Sequence, residues 1–422
     1  MPGARSSSTP ITDAQRRTLV AAALGWMLDA FDTMLYALLL AYIMRDLGMS
    51  KALGGLLGTL TLLASGLGGV LFGFLADRLG RKPALMLSIL TYSLCSFASG
   101  LANSIGMLAA FRFILGLGMG GEWNTGASLV AETWPAERRA KALAIVQSSW
   151  AVGYGLAALV AGIVLHYANW RFVFFVGILP ALVTLWIQNR VPESEMWQQH
   201  HRLAHAPRIV AEAHPKYEPA GWGRIFRPPY ARSTFALLFA NLFGMFAWWG
   251  LFTWIPPYLS LPVEQGGRGF STGLMTWLLV ALNLTGMFPG YASFGWVADH
   301  LGRRRSFLVY LLLAAALVPL YALASRPWML LLLGTPVAFF GTGFFSGSGI
   351  IGSEIFPTRL RARALGFTYN GARTLSAVAP WIIGWVGQRK GLSWAFYLCA
   401  FSFFLAALVA TLLPETKGKH LD

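Results

Sequence analysis

The chain has 422 residues, of which 56% are hydrophobic and only 12% are charged. A soluble globular domain carries about 25% charged residues, so this composition excludes an ordinary soluble enzyme and a disordered chain. The net charge of +16 would also fit a nucleic-acid-binding protein, so the positions of the charges must decide between partners.

Apolar runs follow one another along the whole chain. The segment from Met1 to Thr18 is polar, and the run Leu19–Met44 is too long for the hydrophobic core of a signal peptide. About 20 apolar residues cross a bilayer, so this run predicts a first transmembrane helix. Eleven further runs predict eleven more, at 52–76, 84–102, 105–131, 142–167, 171–188, 233–259, 271–298, 306–324, 328–355, 364–387 and 392–413.

A polar stretch from Asn189 to Arg232 separates the sixth and seventh predicted helices. Such a stretch between two apolar regions indicates a linker. The sequence therefore predicts an N-terminal six-helix half at 1–194, a cytoplasmic linker at 195–232 and a C-terminal six-helix half at 233–422. The predicted fold class is an all-α polytopic membrane protein with twelve transmembrane helices in two pseudo-symmetric halves.

Lysine and arginine are distributed unevenly between the two sides of this predicted bundle. With the N-terminus inside, the tails, the linker and the loops on that side hold 24 of the 33 basic residues, and the opposite loops hold 7. The positive-inside rule then places both termini and the linker in the cytoplasm. This distribution removes the nucleic-acid hypothesis. The short loops suit a bacterial inner membrane, and we expect a monomer.

The sequence contains no pattern that predicts a cofactor or a metal. Cys95 and Cys399 both lie in apolar runs without motif spacing, so we expect two free thiols and no disulfide. No nucleophile elbow or metal constellation is visible, so we do not expect an enzyme.

Three motifs recur at one offset of 222 residues. The segment Gly73–Lys82 matches Gly295–Arg304, and the Glu132 motif with its following basic residues matches the Glu354 motif. Pro192-Glu193-Ser194 also matches Pro414-Glu415-Thr416. Three matches in one register predict two halves of six helices in parallel repeat.

These motifs resemble the major facilitator superfamily over essentially the whole chain. The resemblance rests on Gly-x-x-x-Asp-Arg-x-Gly-Arg-Lys after helix 2, its echo after helix 8, the Arg112-x-x-x-Gly-x-Gly-x-Gly run in helix 4 and the Pro-Glu-Ser and Pro-Glu-Thr tags. The segments Leu28–Asp32, Gly120–Trp123 and Tyr369–Arg373 look most like the sialate and carboxylate:proton symporters, and next like the aromatic-acid:proton symporters. That second group usually has Asp-Gly-x-Asp, where this chain has Ala30 instead of glycine.

Five charged residues lie inside the predicted spans: Asp29, Asp32, Arg112, Glu122 and Arg373. A charge near the bilayer centre costs a few kcal/mol and is by default a functional hypothesis. At 1.5 Å per residue, all except Glu122 fall at about half depth, so we expect one central chamber between the halves. Structural Asp–Arg pairs that hold helices together are the alternative.

The residue types suggest different roles. Arg112 or Arg373 could hold an organic anion, because a guanidinium binds a carboxylate through two hydrogen bonds and keeps its charge. Since no histidine lies in the middle of a span, a proton carrier must be Asp29, Asp32 or Glu122. We expect proton coupling at Asp32 with Asp29 as its partner, while Glu122 is either a gate or hydrated near the cytoplasm. Further candidates for the chamber wall are Asn370, Gln147, Asn124, Trp150, Tyr154, Trp248 and Trp249.

The cytoplasmic motifs suggest a latch between helices. Their positive charges also fix the orientation of the protein in the membrane, and this role does not exclude the latch. We expect Gly73 to allow close helix approach and Asp77 to cap the positive N-terminus of another helix. Arg81, Glu132 and Arg139 can pair across the loops, and Asp299, Arg303, Glu354 and Arg361 repeat them in the second half. The resemblance implies that this network latches the outward-open state and breaks on inward opening.

Together these features predict a secondary transporter that carries a small organic anion with protons by alternating access. The anion would be a monocarboxylate, a sialic-acid-like acid or an aromatic acid. Two alternatives remain at this point: a carrier of a neutral sugar or a cationic compound, in which the arginines only pair with the aspartates, and a nutrient sensor that binds without transport.

Overall fold

The computed structural model describes residues 11–204 and 222–418, and its regular elements there are helical. The helices of the first half are α1 (Asp13–Asp46), α2 (Lys51–Leu79), α3 (Arg81–Gly100), α4 (Ile105–Thr133), α5 (Ala136–Tyr167), α6 (Trp170–Val176), α7 (Pro180–Arg190) and α8 (Glu195–Ala204). Those of the second half are α9 (Ala231–Ser260), α10 (Thr272–Ala281), α11 (Phe288–Leu301), α12 (Arg303–Leu323), α13 (Pro327–Ile355), α14 (Thr358–Ser376), α15 (Ala379–Lys390) and α16 (Leu392–Ala410).

Within the described ranges, eleven helical stretches are long and apolar enough to cross a membrane. The predicted eleventh run, 364–387, is the exception: it is divided between α14, which carries four arginines in its 19 residues, and α15, which has only 12 residues. The sixth run is also divided, between α6 and α7, and a π-helical segment at Leu282–Met287 joins α10 to α11. Pro180 and Pro380 stand at the starts of α7 and α15, where a proline lacks the N–H that would continue the preceding helix.

The predicted linker contains helical structure where it is described. Helix α8 occupies its first ten residues, and a 3-10 turn at Trp222–Phe226 precedes α9. The Trp197 indole N–H donates to the Asp77 carbonyl oxygen at 2.9 Å, which docks α8 beneath α2. The middle of the linker, at 205–221, and the tails at 1–10 and 419–422 lie outside the described residues.

Glycine allows the closest helix contacts. A Cβ added at Gly120 of α4 would overlap the Ser65 carbonyl oxygen of α2, and one at Gly116 would overlap the Thr61 carbonyl oxygen. Lipid supplies no hydrophobic drive between helices, so such close backbone packing holds them together. Gly73 does not act in this way, because a Cβ there would meet no atom within 4 Å. The expectation of a close approach at Gly73 is therefore wrong.

The helix ends define two sides of the bundle. We call the side that carries the start of α1 and the end of α16 the terminal side, and the other the opposite side. Helix α2 packs on α15, α5 packs on α10 and α11, and α1 packs on α9.

Hydrogen bonds between described residues join the halves. They include the pairs Tyr42 with Thr272, Lys51 with Gln265, Ala52 with Gln388, Thr59 with Trp381 and Tyr154 with Phe252. The two halves are therefore tied together from the middle of the bundle to the opposite side.

Candidate functional site

The two aspartates of α1 are completely buried. The Ser96 hydroxyl of α3 donates to Asp32 Oδ1 at 2.7 Å, whereas Asp32 Oδ2 and both Asp29 carboxyl oxygens have no hydrogen-bond partner. The break between α6 and α7 lies against this group, because a Cβ added at Gly177 would come 2.6 Å from Asp32 Oδ1. Ser96 and Gly177 have no charge and no motif, so the sequence did not single them out.

Glu122 of α4 is not hydrated, contrary to one of the sequence expectations. Its side chain is 1% exposed, and neither of its carboxyl oxygens has a hydrogen-bond partner. A Cβ added at Gly25 of α1 would overlap Glu122 Oε1, so glycine at this position makes room for the carboxyl group. Glu122 therefore belongs to the buried charges between α1 and α4.

The two intramembrane arginines are buried and also lack partners. The Arg112 guanidinium lies 4.9 Å from the centre of the Tyr36 ring, a cation–π contact, but its Nε and Nη1 atoms have no acceptor. Arg373 Nε and Nη2 likewise have no acceptor. Within the described residues, no carboxylate oxygen lies within 4.0 Å of either guanidinium.

The five charges nevertheless act on one another through the low-dielectric interior. Asp29 is attracted by Arg373 and more weakly by Arg112, and it repels both Asp32 and Glu122. Glu122 is attracted by Arg373. The arrangement holds three carboxyl groups and two guanidinium groups that interact without direct ion pairs, so each guanidinium keeps free donors.

Arg373 lines a small cavity between the halves. The indole N–H groups of Trp26 and Trp150 in its wall have no acceptor. The other lining residues are Gln147, Met245, Trp248, Trp249, Tyr291, Phe345 and Tyr369. We call this space the Arg373 cavity.

Arg112 lines a second small cavity that lies nearer the opposite side. Its wall contains hydroxyl and apolar groups from Thr33, Met34, Tyr36, Ala37, Gly58, Thr61, Leu62, Thr253 and Pro380, together with Trp249. We call this space the Arg112 cavity. In this structure the two arginines line separate cavities, and Trp249 lines both of them.

Four of the predicted chamber residues, Gln147, Trp150, Trp248 and Trp249, line the Arg373 cavity. Asn124, Tyr154 and Asn370 line neither cavity. Asn124 donates to the Gly69 carbonyl oxygen at 3.2 Å, and Tyr154 donates to the Phe252 carbonyl oxygen at 3.1 Å. Each of these two side chains donates a hydrogen bond to a backbone oxygen of another helix, so both of them hold helices together.

The repeated motifs form two matching ion-pair networks on the terminal side. Arg81 donates to Asp77 at 2.7 Å and to Glu132 at 3.0 Å. Arg303 repeats both contacts, with Asp299 at 2.5 Å and Glu354 at 3.1 Å. Each network joins helices of one half, so it fixes that half as a unit.

The helix cap predicted for Asp77 is made by other residues. Asp77 is largely exposed and accepts from Arg81, whereas Glu193 accepts from the Arg81 and Lys82 backbone N–H groups at the start of α3, both at 3.1 Å. Glu415 repeats this cap at the start of α12, where it accepts from the Arg303 N–H at 2.8 Å. The Pro-Glu-Ser and Pro-Glu-Thr tags therefore supply the carboxylates that face the positive helix ends.

The glycine that precedes each capped helix is required there. Gly80 and Gly302 have φ values of +112° and +97°, a region that side chains rarely adopt. A Cβ at Gly302 would also come 2.7 Å from Glu415 Oε2. Burial raises the pKa of the Glu415 carboxyl, but the backbone N–H groups of Lys417, Arg303, Thr416 and Arg304 outweigh this effect, and the pKa falls below its ordinary value.

Arg139 and Arg361 do not pair as the sequence suggested. Arg139 donates to the Trp134 carbonyl oxygen at 3.4 Å and Arg361 to the Phe356 carbonyl oxygen at 3.3 Å. Among the described residues, neither has a carboxylate within 4.0 Å. The two guanidinium groups instead repel each other, so the terminal side gains no attraction between the halves from this pair.

Two transporters are similar to this chain over nearly its whole length. The Sialic acid transporter NanX of Escherichia coli strain K12 is 32% identical over 415 residues, which cover 96% of this chain and 96% of that protein. The Probable 4-methylmuconolactone transporter of Cupriavidus pinatubonensis is 33% identical over 417 residues, which cover 97% of this chain and 92% of that protein.

A solved structure shows the same fold. The xylose transporter XylE from Escherichia coli, in a partially occluded inward-open conformation, has a TM-score of 0.78 and 19% identity over 97% of this chain and 100% of that one. The sequence profile of the Major Facilitator Superfamily matches residues 22–290 and 261–421. These matches confirm the resemblance to the carboxylate-carrier branch. The chain is an integral membrane protein that belongs to the major facilitator superfamily, and it is a transporter, not an enzyme.

Proposed function

We propose that this transporter carries a small aromatic or conjugated carboxylate together with protons. The observation that supports this proposal is the buried Arg373 guanidinium, which has no carboxylate partner and lines a cavity walled by aromatic rings. A guanidinium matches a carboxylate in a two-point contact. The unpaired indole N–H groups of Trp26 and Trp150 are further donors for the same anion.

The composition of the cavity wall favours a flat, apolar body over a polyhydroxylated one. Seven of the ten lining residues are aromatic, and the wall contains one guanidinium, from Arg373, and one amide, from Gln147. Aromatic rings pack favourably against another π-system, edge to face or offset. A sugar acid would leave several hydroxyl groups without partners, and each unpaired polar group costs about 1–3 kcal/mol.

Charge balance inside the membrane gives a mechanism for proton coupling. Two guanidinium groups offset two carboxylates, so one of Asp29, Asp32 and Glu122 must be protonated for the empty site to be neutral. A bound monocarboxylate adds one negative charge, and a second proton restores neutrality. One proton per anion therefore lets the loaded bundle reorient without an unbalanced charge in the lipid.

The helix arrangement supports rocking of the halves about the Arg373 cavity. Hydrogen bonds hold the halves together at the opposite side, and each half is braced by its own ion-pair network on the terminal side. With both termini in the cytoplasm of a bacterium and the protein in the inner membrane, this arrangement is closed to the outside. The transporter acts as a monomer, because one chain contains the whole path.

Uptake of labelled benzoate into proteoliposomes, with and without an imposed inward proton gradient, tests this function. We expect accumulation that depends on the gradient and that Arg373→Gln abolishes. Arg326→Gln is the matched control, because this exposed arginine undergoes the same change of charge outside both cavities.

Other outcomes would favour the alternatives. Transport of xylose or of a lipophilic cation without benzoate uptake would favour the neutral or cationic carrier. In that alternative the arginines pair directly with the aspartates, but among the described residues no carboxylate oxygen lies within 4.0 Å of Arg112 or Arg373. Tight benzoate binding without any flux would favour the sensor.

A further inference from the structure

A buried hydrogen bond links α3 to the Asp32 carboxyl group of α1. The Ser96 hydroxyl donates to Asp32 Oδ1 at 2.7 Å, and both side chains are completely buried. In the described part of the chain, Asp32 Oδ2 has no partner, so the carboxyl group has one satisfied oxygen and one free oxygen. A proton that binds Asp32 therefore goes to Oδ2, and the contact with Ser96 decides which oxygen that is.

We propose that Ser96 is a positioning residue for the proton step, whose hydroxyl donates to Asp32 when the carboxylate is ionised and turns back to its own helix when the carboxyl group is protonated. This inference rests on the proposed function, because it takes Asp32 as the proton carrier. A hydrogen bond to a charged acceptor is roughly twice as strong as one between neutral groups. Protonation of Asp32 therefore weakens the contact, and release of the proton restores it.

A second acceptor is available to Ser96 within α3. Serine and threonine hydroxyls in helices can donate to the carbonyl oxygen four residues earlier in the chain. Ser99 and Thr91 of the same helix donate in this way, at 2.8 and 2.7 Å. The equivalent acceptor for Ser96 is the Tyr92 carbonyl oxygen. A rotation of the Ser96 side chain is therefore enough to exchange one acceptor for the other, without movement of the backbone.

The turn between α6 and α7 packs directly against this contact. A Cβ added at Gly177 would overlap Ser96 Oγ and come 2.6 Å from Asp32 Oδ1. The glycine backbone therefore confines the Ser96 hydroxyl beside the carboxyl group. A methyl group at position 177 would occupy the place of this hydroxyl, so Gly177→Ala should break the contact without removing either partner.

Other charged and titratable groups also act on Asp32. Asp29 on the same helix repels its ionised form, Arg112 of α4 attracts it, and Tyr92 of α3 interacts with it through space. The turn between α6 and α7 contributes no charged residue, since its sequence is Gly-Ile-Leu. Replacement of Ser96 leaves all these groups in place, so its effect isolates the hydrogen bond.

Infrared spectra of the purified full-length protein, recorded as a pH titration, test the proposal. The carboxyl C=O band that is lost in Asp32→Asn reports the protonation of Asp32. We expect Ser96→Ala to move the midpoint of this band upward by about one to two pH units, because the ionised carboxylate loses a charge-assisted hydrogen bond. Ser96→Cys should give a smaller shift in the same direction, since a thiol is a weak donor.

Ser93→Ala is the matched control. Ser93 lies on the same helix and is also completely buried, and its hydroxyl has no hydrogen-bond partner among the described residues. The same substitution there should leave the titration midpoint unchanged. Gly177→Ala should shift the midpoint in the same direction as Ser96→Ala, which separates loss of the contact from the effect of a cavity in α3.

Benzoate uptake into proteoliposomes, measured over the same pH range, distinguishes failure of this inference from failure of the proposed function. A shifted band in Ser96→Ala, together with gradient-driven uptake that persists to higher pH, supports the role of Ser96. An unshifted band in both Ser96→Ala and Gly177→Ala overturns that role, even where wild-type uptake follows the gradient. A shifted band without uptake in the wild type supports the contact and overturns benzoate symport. If Asp32→Asn loses no band at any pH, this inference and the coupling role of Asp32 are both overturned.

Discussion

The buried charges at the middle of the membrane and the charged motifs on the terminal side solve opposite physical problems. On the terminal side, Arg81 and Arg303 each contact two carboxylates. At mid-membrane, both Asp29 oxygens and two nitrogens of Arg373 have no partner. Charges that are paired stabilise the helix arrangement in which they meet. Buried charges without a partner are stabilised only when a proton or a ligand binds to them. The contrast therefore supports a structural role for the terminal-side pairs and agrees with the proposed transport chemistry at mid-membrane.

Removal of the Arg373 charge should have the largest effect on benzoate binding. Loss of one partner of a buried, hydrogen-bonded charge pair costs about 2–5 kcal/mol, so Arg373→Gln should weaken benzoate binding at the Arg373 cavity by at least about 30-fold. Arg373→Lys should recover part of this loss, since it keeps the charge without the fork. Saturation binding measures both, and near-wild-type affinity in Arg373→Gln would contradict the site.

The same substitution at one aspartate in each region distinguishes a buried proton carrier from an exposed ion-pair partner. A proton gradient of one pH unit supports about tenfold accumulation when one proton moves with each anion. Asp32→Asn should abolish this accumulation while benzoate exchange continues, because an amide does not release a proton. Asp77→Asn makes the same change at an exposed, paired position and should keep accumulation within about twofold of wild type. Gradient-driven uptake by Asp32→Asn would remove Asp32 from the coupling step.

The two terminal-side networks also differ from each other, and this difference can be measured. Glu132 Oε2 has no partner, whereas Glu354 Oε2 accepts from the Thr416 hydroxyl at 2.5 Å. Arg81→Gln should therefore destabilise the protein by about 1–3 kcal/mol, because it leaves a partly buried carboxylate poorly satisfied. Arg303→Gln should cost less, since Thr416 still donates to Glu354. Thermal unfolding in detergent compares the two, and equal losses would show that the Thr416 contact is unimportant.

The smallest expected effect concerns the cap at α12. The pKa of Glu415 is lowered in the folded protein, so its ionised form stabilises the fold at neutral pH. This stabilisation is present above the unfolded pKa of about 4.3 and is lost as the pH falls through the lower folded value. Because Glu415 is exposed, Glu415→Gln should cost only about 0.3–1 kcal/mol at pH 7. Unfolding measured from pH 7 downward should show the difference disappear, and a constant difference would contradict the cap.

The sequence predicted the fold well because membrane constraints are local. Each crossing needs a run of apolar residues, and each half repeats the same motifs, so both features can be counted along the chain. The interruption of the eleventh run could not be seen by hydropathy alone, although Pro380 in that run was a usable signal. The cap formed by Glu193 was also missed, because it depends on where the chain returns after six helices.

The site was predicted only as a set of charged residues. The expectation that Asp29, Asp32, Arg112, Glu122 and Arg373 are functional followed from their cost in lipid, which depends on residue type and depth alone. Their grouping did not follow, since the rotation of each helix decides which neighbours a side chain meets. Ser96, Gly177, Gly25 and Tyr36 reach these charged residues only through contacts between helices that are distant in sequence.

Apolar length, charge position and repeat spacing are properties of the chain, so the amino-acid order is enough to predict a twelve-span carrier with ionisable groups inside the membrane. The assignment of Arg112 and Arg373 to separate cavities that share Trp249 depends on how the helices pack. The reason is packing: the volume and orientation of the aromatic side chains that divide this space are fixed only when α1, α5 and α9 meet.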